Sequence, residues 1–307
     1  IGGEVARLLL ERGDEVVARG STPARAGGLT GCELVAGDLA DIDALQRGVK
    51  GADAVIHAAA VYEIGIPASA RAAMTDVNVG GTSRVLTAAL EAGVSKAVYV
   101  STVAVFGNTR GEVADERWTR VTDGFTSAYE QTKVEAHHVA QALVARGLPL
   151  VTVQPGVVYG PGDTSELGGL FDRLLKGKLP LVPFPTMGIT PVHRDDVVNG
   201  ILLALDKGVV DESYVLAGET TTMGSLLRAL AEVSGKKPPR GAAPTWLLKG
   251  LAPFGRFVGP MMGFPPNMKE LISSSDGVTF WARSDKAQRE LGWTYRPLPE
   301  GLATLLA

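Results

Sequence analysis

Short, wholly apolar runs alternate along the first half of this chain with longer stretches in which apolar residues recur every three or four positions. Val5, Leu8 and Leu9 sit at helical spacing ahead of Gly13, which predicts a helix that stops at the glycine. Residues 15–18 then form a strand pattern ending at Arg19, residues 34–36 a second ending at Gly37-Asp38, and residues 54–57 a third. A helix is predicted over 41–50, a longer one over 69–92, a strand over 97–101, a helix over 127–146 and a strand over 150–153. Parallel strands need long crossovers, and helices in those crossovers bury both faces of the sheet, so such strands are apolar throughout. The predicted fold class is therefore α/β, a doubly wound parallel sheet.

In a doubly wound sheet the first strand lies centrally, and a glycine-rich turn carries it into the first helix, where backbone N–H groups face a pyrophosphate. This chain opens at Ile1-Gly2-Gly3, directly on a helix. Two glycines alone fit a flexible end; the strand order that follows favours the last part of such a turn, with Gly2 in its final glycine position. The expectation is a dinucleotide-binding protein that lacks its first strand here. A protein made of these residues alone is expected to be unstable, because two strand edges would stand open.

Composition narrows the classes of partner. The net charge of −3 over 307 residues gives no electrostatic reason to expect nucleic acid or an anionic membrane. No apolar run approaches the roughly 20 residues of a membrane span. The single cysteine, Cys32, cannot form an internal disulfide and fits a reducing, cytoplasmic setting. A small-molecule substrate is expected, no metal is proposed because no His, Cys, Asp or Glu set has ligand spacing, and a homodimer is left open.

Candidate chemistry lies mid-chain. Tyr129 and Lys133 stand four residues apart on a predicted helix, hence on one face. A nearby ammonium favours the phenolate, which suits a tyrosine that exchanges a proton with an alcohol or carbonyl. Of the six tyrosines only Tyr129 has a lysine at that spacing, although the same pair could be a solvated helix face. Upstream, Ser101 and Thr102 fall where a strand ends, on the edge of a parallel sheet where ligands bind. A hydroxyl there can hold a substrate oxygen near Tyr129; alone it would equally be a helix cap.

These features lie in an ordered set of motifs that resembles the extended short-chain dehydrogenase/reductases, the NAD-dependent epimerase/dehydratase family, over nearly the whole chain. Gly2 resembles the last glycine of that family's G-x-x-G-x-x-G turn. "GDLAD" (37–41) is similar to the segment whose Asp38 and Leu39 contact adenine, and "VIHAAA" (55–60) to the loop that lays Ala58, Ala59 and Ala60 along the cofactor. "DVNVGGT" (76–82) supplies Asn78, "STVAVFG" (101–107) supplies Ser101 and Thr102, and "YEQTK" supplies Tyr129 and Lys133. "QPGVVYGPGD" (154–163) resembles the segment in which Pro155, Gly156 and Val157 pass the nicotinamide, and "PVHRDDV" and "SDKAQRELGW" also match. Phe106 departs from the family's usual tyrosine, and the first strand and two turn glycines are not in this sequence. His193 is expected to cap and orient a helix, and His57 to be structural or to line the cofactor.

The resemblance implies that Tyr129 acts as acid or base, that Thr102 holds the reacting oxygen, and that Lys133 binds the nicotinamide ribose and tunes Tyr129. It implies a cofactor-binding domain over 1–160 with return segments at about 190–217, and a substrate-binding domain over 161–189 and 218–307. An acidic residue at the end of the second strand of such folds favours NAD, and an arginine favours NADP; "VVARGSTPAR" places Arg19 there and Arg25 close behind, so NADP is preferred and NAD is the alternative. Nucleotide-sugar relatives often carry an arginine just before the "VH.DD" segment, where this chain has Ile189-Thr190-Pro191. The segment 244–266, rich in Trp, Phe, Leu and Met, is expected to be a packing helix, with a lid over an apolar substrate as the sharper alternative and a membrane-surface helix ranked below both because basic residues are few. The expected function is reduction of a small apolar carbonyl compound or oxidation of its alcohol, as in the dihydroflavonol reductase and 3β-hydroxysteroid dehydrogenase branch. The alternative is a nucleotide-sugar epimerase or dehydratase that holds NAD tightly.

Overall fold

Helix α1 (Gly2–Arg12) opens the chain and ends at Gly13, whose φ of 92° a residue with a side chain rarely adopts. The structure, a computed structural model, describes residues 1–20, 31–257 and 264–306. Strands β1 (Val17–Gly20) and β2 (Glu33–Ala36) pair in parallel, the first starting two residues later than predicted because its pairing begins at Val17 opposite Glu33. Helix α2 (Ile42–Val49) starts at Asp41, whose carboxylate accepts the Ala44 N–H at 2.9 Å, and β3 (Ala54–His57) follows. The predicted helix 69–92 is continuous but uneven: α3 (Arg71–Thr75) passes through one wide π turn at Asp76–Gly80 into α4 (Gly81–Ala92). Then come β4 (Lys96–Val100), α5 (Ala128–Val144) and β5 (Leu150–Pro155).

Strands β3, β4 and β5 lie side by side in parallel, and a later strand adds to the far edge of β5. Between them the chain forms β6 (Val157–Tyr159), α6 (Glu166–Leu175), β7 (Gly188–Ile189), β8 (Pro191–His193) and α7 (Arg194–Lys207). The added strand is β9 (Ser213–Leu216), giving the order β3-β4-β5-β9. No ladder joins this sheet to the β1-β2 pair among the described residues. Side chains alternate across a strand, and here each parity finds its own helices. Val98, Val151, Val153, Tyr214 and Leu216 pack with Val5 of α1 and Val197, Val198 and Ile201 of α7. Ala97, Tyr99 and Leu150 point the other way, onto Leu86 and Ala89 of α4 and Ala136, Ala140 and Leu143 of α5. Every residue of β5 is buried, as a central parallel strand requires.

The remaining elements are β10 (Thr221–Thr222), α8 (Met223–Ser234), α9 (Thr245–Leu251), α10 (Met268–Ser275), α11 (Asp285–Leu291) and α12 (Leu298–Ala303). Two further apolar clusters lie among them. Leu170 and Phe171 of α6 meet Leu226, Leu227 and Leu230 of α8, while Leu248 of α9 meets Met268, Leu271 and Ile272 of α10. The chain finally returns to the sheet's own core: Trp293 is wholly buried against α7, its indole N–H donating to the Asp196 carbonyl at 2.8 Å.

Candidate active site

The carboxyl ends of β3, β4 and β5 and the first turns of α5 meet at one place. Beyond β4, Thr102 turns the chain: its hydroxyl oxygen accepts the Ala104 N–H at 3.2 Å and starts a tight turn over Val103–Phe106. Helix α5 is fixed at its start by three side chains. Ser127 Oγ accepts the Glu130 N–H at 3.1 Å, Glu130 Oε2 accepts the Thr126 N–H at 2.8 Å, and Glu270, from α10, accepts the Ala128 N–H at 2.9 Å. Unmade hydrogen bonds at a helix start are thus satisfied from within and from across the chain. Tyr129 and Lys133 follow on the turns so anchored.

The Thr102 hydroxyl lies beside the Tyr129 phenol and favours its phenolate. The Tyr129 ring meets Tyr62 edge to face, with centroids 4.8 Å apart. Desolvation pushes the Tyr129 phenol up to about 12, against the opposing pull of Thr102. This corrects the expectation that Lys133 lowers it. The lysine is aimed elsewhere: Nζ donates to the Val100 carbonyl at 3.2 Å and to Tyr99 Oη at 3.4 Å, and the side chain is 3 % exposed. Burial brings the Lys133 ammonium down to about 8.

Tyr99 links that lysine to a second layer. Its ring stacks on His57, 5.7 Å between centroids and 15° between planes, and the Thr82 and Ser101 hydroxyls lie near its own. Thr82 gives its one proton to the Asn78 carbonyl at 2.7 Å, so the 2.9 Å contact with His57 Nε2 is donated by the imidazole. Burial, then Lys133, holds the His57 imidazolium down at about 3, so the ring is neutral. Ser101 Oγ lies 3.3 Å from His137 Nδ1. Ser101, Thr102, Tyr129 and Lys133 are therefore brought together.

The other expected site residues fall into two groups. Pro155 ends β5 and Val157 begins β6, with Gly156 between them; a Cβ on Gly156 would stand 2.1 Å from the Thr190 carbonyl oxygen, so the backbones meet too closely for any side chain. Gly2, at the start of α1, faces Ala58, and Ala59 and Ala60 continue exposed beyond β3. Asp38 caps its own turn by accepting the Ala40 N–H at 2.8 Å, and Leu39 packs under Gly81 while Arg84 binds its carbonyl. Asn78 is placed differently. Its amide is buried and fully engaged, accepting the Val61 N–H at 2.7 Å and donating to the Val61 carbonyl and to Thr132, each at 3.0 Å. It pins the loop after β3 to α5, and so sets Tyr62 against Tyr129. His193 caps α7, accepting the Asp195 N–H at 3.2 Å.

Arg19 folds onto the turn after β2, donating through Nη2 to the Asp38 carbonyl and, at 3.1 Å, to that of Asp41. Its Nε and Nη1 are buried and find no partner among the described residues. Arg25 lies outside the described residues. The arrangement fits a dinucleotide: two guanidinium nitrogens and the Gln154 amide oxygen are buried without partners, Lys133 has a third N–H beyond the two it donates, and only small residues crowd the start of α1.

Three contributors escaped the sequence reading. Tyr99 shares strand parity with Ser101, a signal that was present in the pattern. Tyr62 and Glu270 carry no local signal, since one lies in a loop and the other 142 residues away from the helix start it holds. Beside Tyr62 opens a cavity of about 650 Å³, walled by Ile64, Ile66, Pro265 and Pro266, with Glu63, Asp163 and Glu166 as its charged lining.

Residues 1–217 match the family described as "NAD dependent epimerase/dehydratase family". Sterol demethylase protein B of Methylococcus capsulatus is 32% identical over 257 residues, covering 82% of this chain and 77% of that protein. A putative dihydroflavonol 4-reductase of Synechocystis is 29% identical, covering 99% and 90%. The crystal structure of gox2253 superposes with a TM-score of 0.80 at 32% identity, covering 99% of this chain and 93% of that one. The chain belongs to the NAD-dependent epimerase/dehydratase family, and is an enzyme acting on alcohol or carbonyl groups.

Proposed function

We propose that this enzyme is an NAD(P)-dependent oxidoreductase that interconverts a carbonyl and an alcohol of a small apolar substrate at Thr102, Tyr129 and Lys133. The placement of the Thr102 hydroxyl beside the Tyr129 phenol, with buried Lys133 one helical turn on, carries the proposal. Two neighbouring hydroxyls can share one substrate oxygen: Tyr129 gives it a proton as it becomes an alkoxide, and Thr102 steadies it with a hydrogen bond. In the oxidising direction Tyr129 takes the alcohol's proton. A nicotinamide, when bound, supplies or accepts the hydride.

The groups that would hold the cofactor are Gly2 at the helix start, Arg19, Asp38 and Leu39 at the adenosine end, Ala58 to Ala60 along its length, and Ser101, Lys133 and Pro155 to Val157 at the nicotinamide end. The spare Lys133 N–H suits a ribose hydroxyl, and Asn78 serves by fixing the loop. The unpartnered nitrogens of Arg19 favour the phosphate of NADP over the free ribose of NAD. Residues 1–160 and 190–217 would form the cofactor half, and 161–189 with 218–307 the substrate half.

The cavity beside Tyr62 supports an apolar substrate. One side is aliphatic and proline-rich, the other brings Thr164 and Ser165, and its charged lining is acidic. The diphosphate of a nucleotide sugar would face Glu63, Asp163 and Glu166, the last raised by burial to about 7, and no cation among the lining residues. The names of two relatives, a sterol demethylase protein and a dihydroflavonol reductase, agree with this reading.

The test is consumption of NADPH and NADH by the purified enzyme with a panel of alicyclic and aromatic ketones, beside a nucleotide-sugar conversion assay. Turnover of an apolar ketone with exchangeable cofactor is expected. Stoichiometric NAD retained through purification, with a nucleotide sugar converted and no net change in cofactor, would overturn the proposal in favour of the epimerase or dehydratase alternative.

A further inference from the structure

The net charge of −3 hides an uneven distribution. Residues 233–269 hold six basic side chains, Lys236, Lys237, Arg240, Lys249, Arg256 and Lys269, and no acidic one; the chain stands at −3, so those six leave −9 on the rest. All six are exposed, Lys249 in an ion pair with Asp276 at 2.9 Å. The same stretch turns its large apolar side chains outward: Trp246 is 75% exposed, Phe257 69% and Phe254 62%. The cause is that α9 is fastened on one side, through buried Leu248 against Phe184 and α10, which leaves Trp246 and Leu247 on the open side. Arg256 lies over the Phe257 ring at 5.3 Å, joining a cation to an aromatic within the patch.

Single exposed apolar residues need no explanation, but three aromatics within twelve positions, set among cations, do. We propose that the exposed face carried by residues 236–257 docks this protein onto an anionic lipid surface. Trp246, Phe254 and Phe257 enter the boundary between headgroups and acyl chains, where aromatic rings are favoured, and the lysines and arginines lie over anionic headgroups. The sign of the charge selects this occupant. A second copy brought to the face by a twofold axis would set Lys236, Lys237, Arg240 and Arg256, cations unpaired among the described residues, against the same four, whereas anionic lipid complements them. The acidic remainder is repelled by the same lipid, which fixes which side faces it. Contact is peripheral, since α9 has seven residues and no described helix is long and apolar enough to cross a membrane. Ile64 both packs on the α9–α10 cluster and lines the cavity, so the docked face adjoins the cavity wall. The proposal rests on this surface alone and holds whatever the cavity binds.

The purified full chain is sedimented with vesicles of phosphatidylcholine, and with vesicles that also hold about 30% phosphatidylglycerol, at low and at high salt. Association with the anionic vesicles, weaker by about tenfold or more on neutral vesicles or in high salt, is expected. The variants K236E/K237E/R240E and W246S/F254S change only exposed side chains, so their melting should match the parent, and each should lose about tenfold or more of the binding. Trp246 is the most exposed of the four tryptophans, so a blue shift of emission on anionic vesicles should vanish with W246S/F254S. No association, equal association with both vesicle types, or parental binding by both variants would overturn the proposal. So would a dimer that W246S/F254S dissolves while no vesicle is bound, which would give the face to a second copy.

Discussion

The Lys133 ammonium is hydrogen-bonded to the Tyr99 hydroxyl at 3.4 Å, with the Tyr99 ring 5.1 Å from it and held in turn by His57. Tyr99 therefore positions the lysine, and its oxygen helps keep a desolvated ammonium charged. Removing that oxygen in Tyr99→Phe keeps the stacked ring but favours neutral lysine, so the Lys133 pKa should fall below about 8. The alkaline limb of the pH–rate profile should then move to lower pH, with kcat/KM down about tenfold at pH 8. An alkaline limb that stays in place would show that Tyr99 only packs.

The paired hydroxyls make a sharper demand. Tyr129→Phe should lower kcat by about a hundredfold to ten-thousandfold, the usual range for a general acid, with little change in melting temperature. Thr102→Ala should cost about a hundredfold, and Thr102→Ser, which keeps the hydroxyl, should recover most of it. Steady-state kinetics on the ketone that the parent turns over decide this, and undiminished turnover by Tyr129→Phe would remove the proposed acid.

The parts of the fold that were legible in the sequence are those set by local pattern. The all-apolar run at 150–153 marked a buried parallel strand, and Tyr-x-x-x-Lys placed two side chains on one face of α5. Spacing alone does not carry the electrostatics: Lys133 reaches across to β4 while the Tyr129 phenol is desolvated beside Tyr62. Asn78, expected at the cofactor, also straps the loop after β3 to α5, because its partners Val61 and Thr132 come from separate elements. Glu270 was invisible for the same reason. Net charge likewise averaged away the basic stretch from 233 to 269, which only became conspicuous beside the exposed Trp246 and Phe254.

Lys133 should leave a mark on stability. Its pKa falls from 10.5 to about 8 on folding, so between pH 8 and 10.5 the unfolded chain binds more protons than the folded one. Stability contributed by this site therefore rises as pH increases through that window, and the burial penalty is fully present below pH 8. The full effect is on the order of 3 kcal/mol. Lys133→Met should flatten that rise in a series of urea unfolding curves, and an unchanged slope would place the perturbed titration elsewhere.

His57 acts at the other end of the scale. Its imidazole falls from 6.5 to about 3 on folding, so below pH 6.5 protons bind to the unfolded chain first and the folded state loses stability as pH drops toward 3. The loss at this site is on the order of 5 kcal/mol when complete. His57→Gln, which can still donate to Thr82, should shallow the acid-side decline between pH 6.5 and 4, as followed by melting temperature. If the decline is as steep as in the parent, His137, whose burial lowers it to about 4, is the group responsible.

Cofactor choice can be read from Arg19. Its Nη2 is engaged with the carbonyls of Asp38 and Asp41, while Nε and Nη1 are buried and unpartnered among the described residues. A buried guanidinium nitrogen without an acceptor is costly, and an anionic phosphate beside it would remove that cost. Arg19→Gln should therefore weaken NADPH far more than NADH, lowering the ratio of their kcat/KM values by about tenfold or more. Arg19→Lys keeps the charge but loses the planar fork, and should fall between the two. Loss of both cofactors to the same extent would mean that Arg19 serves only to hold the turn at 38–41, and that the cofactor is NAD.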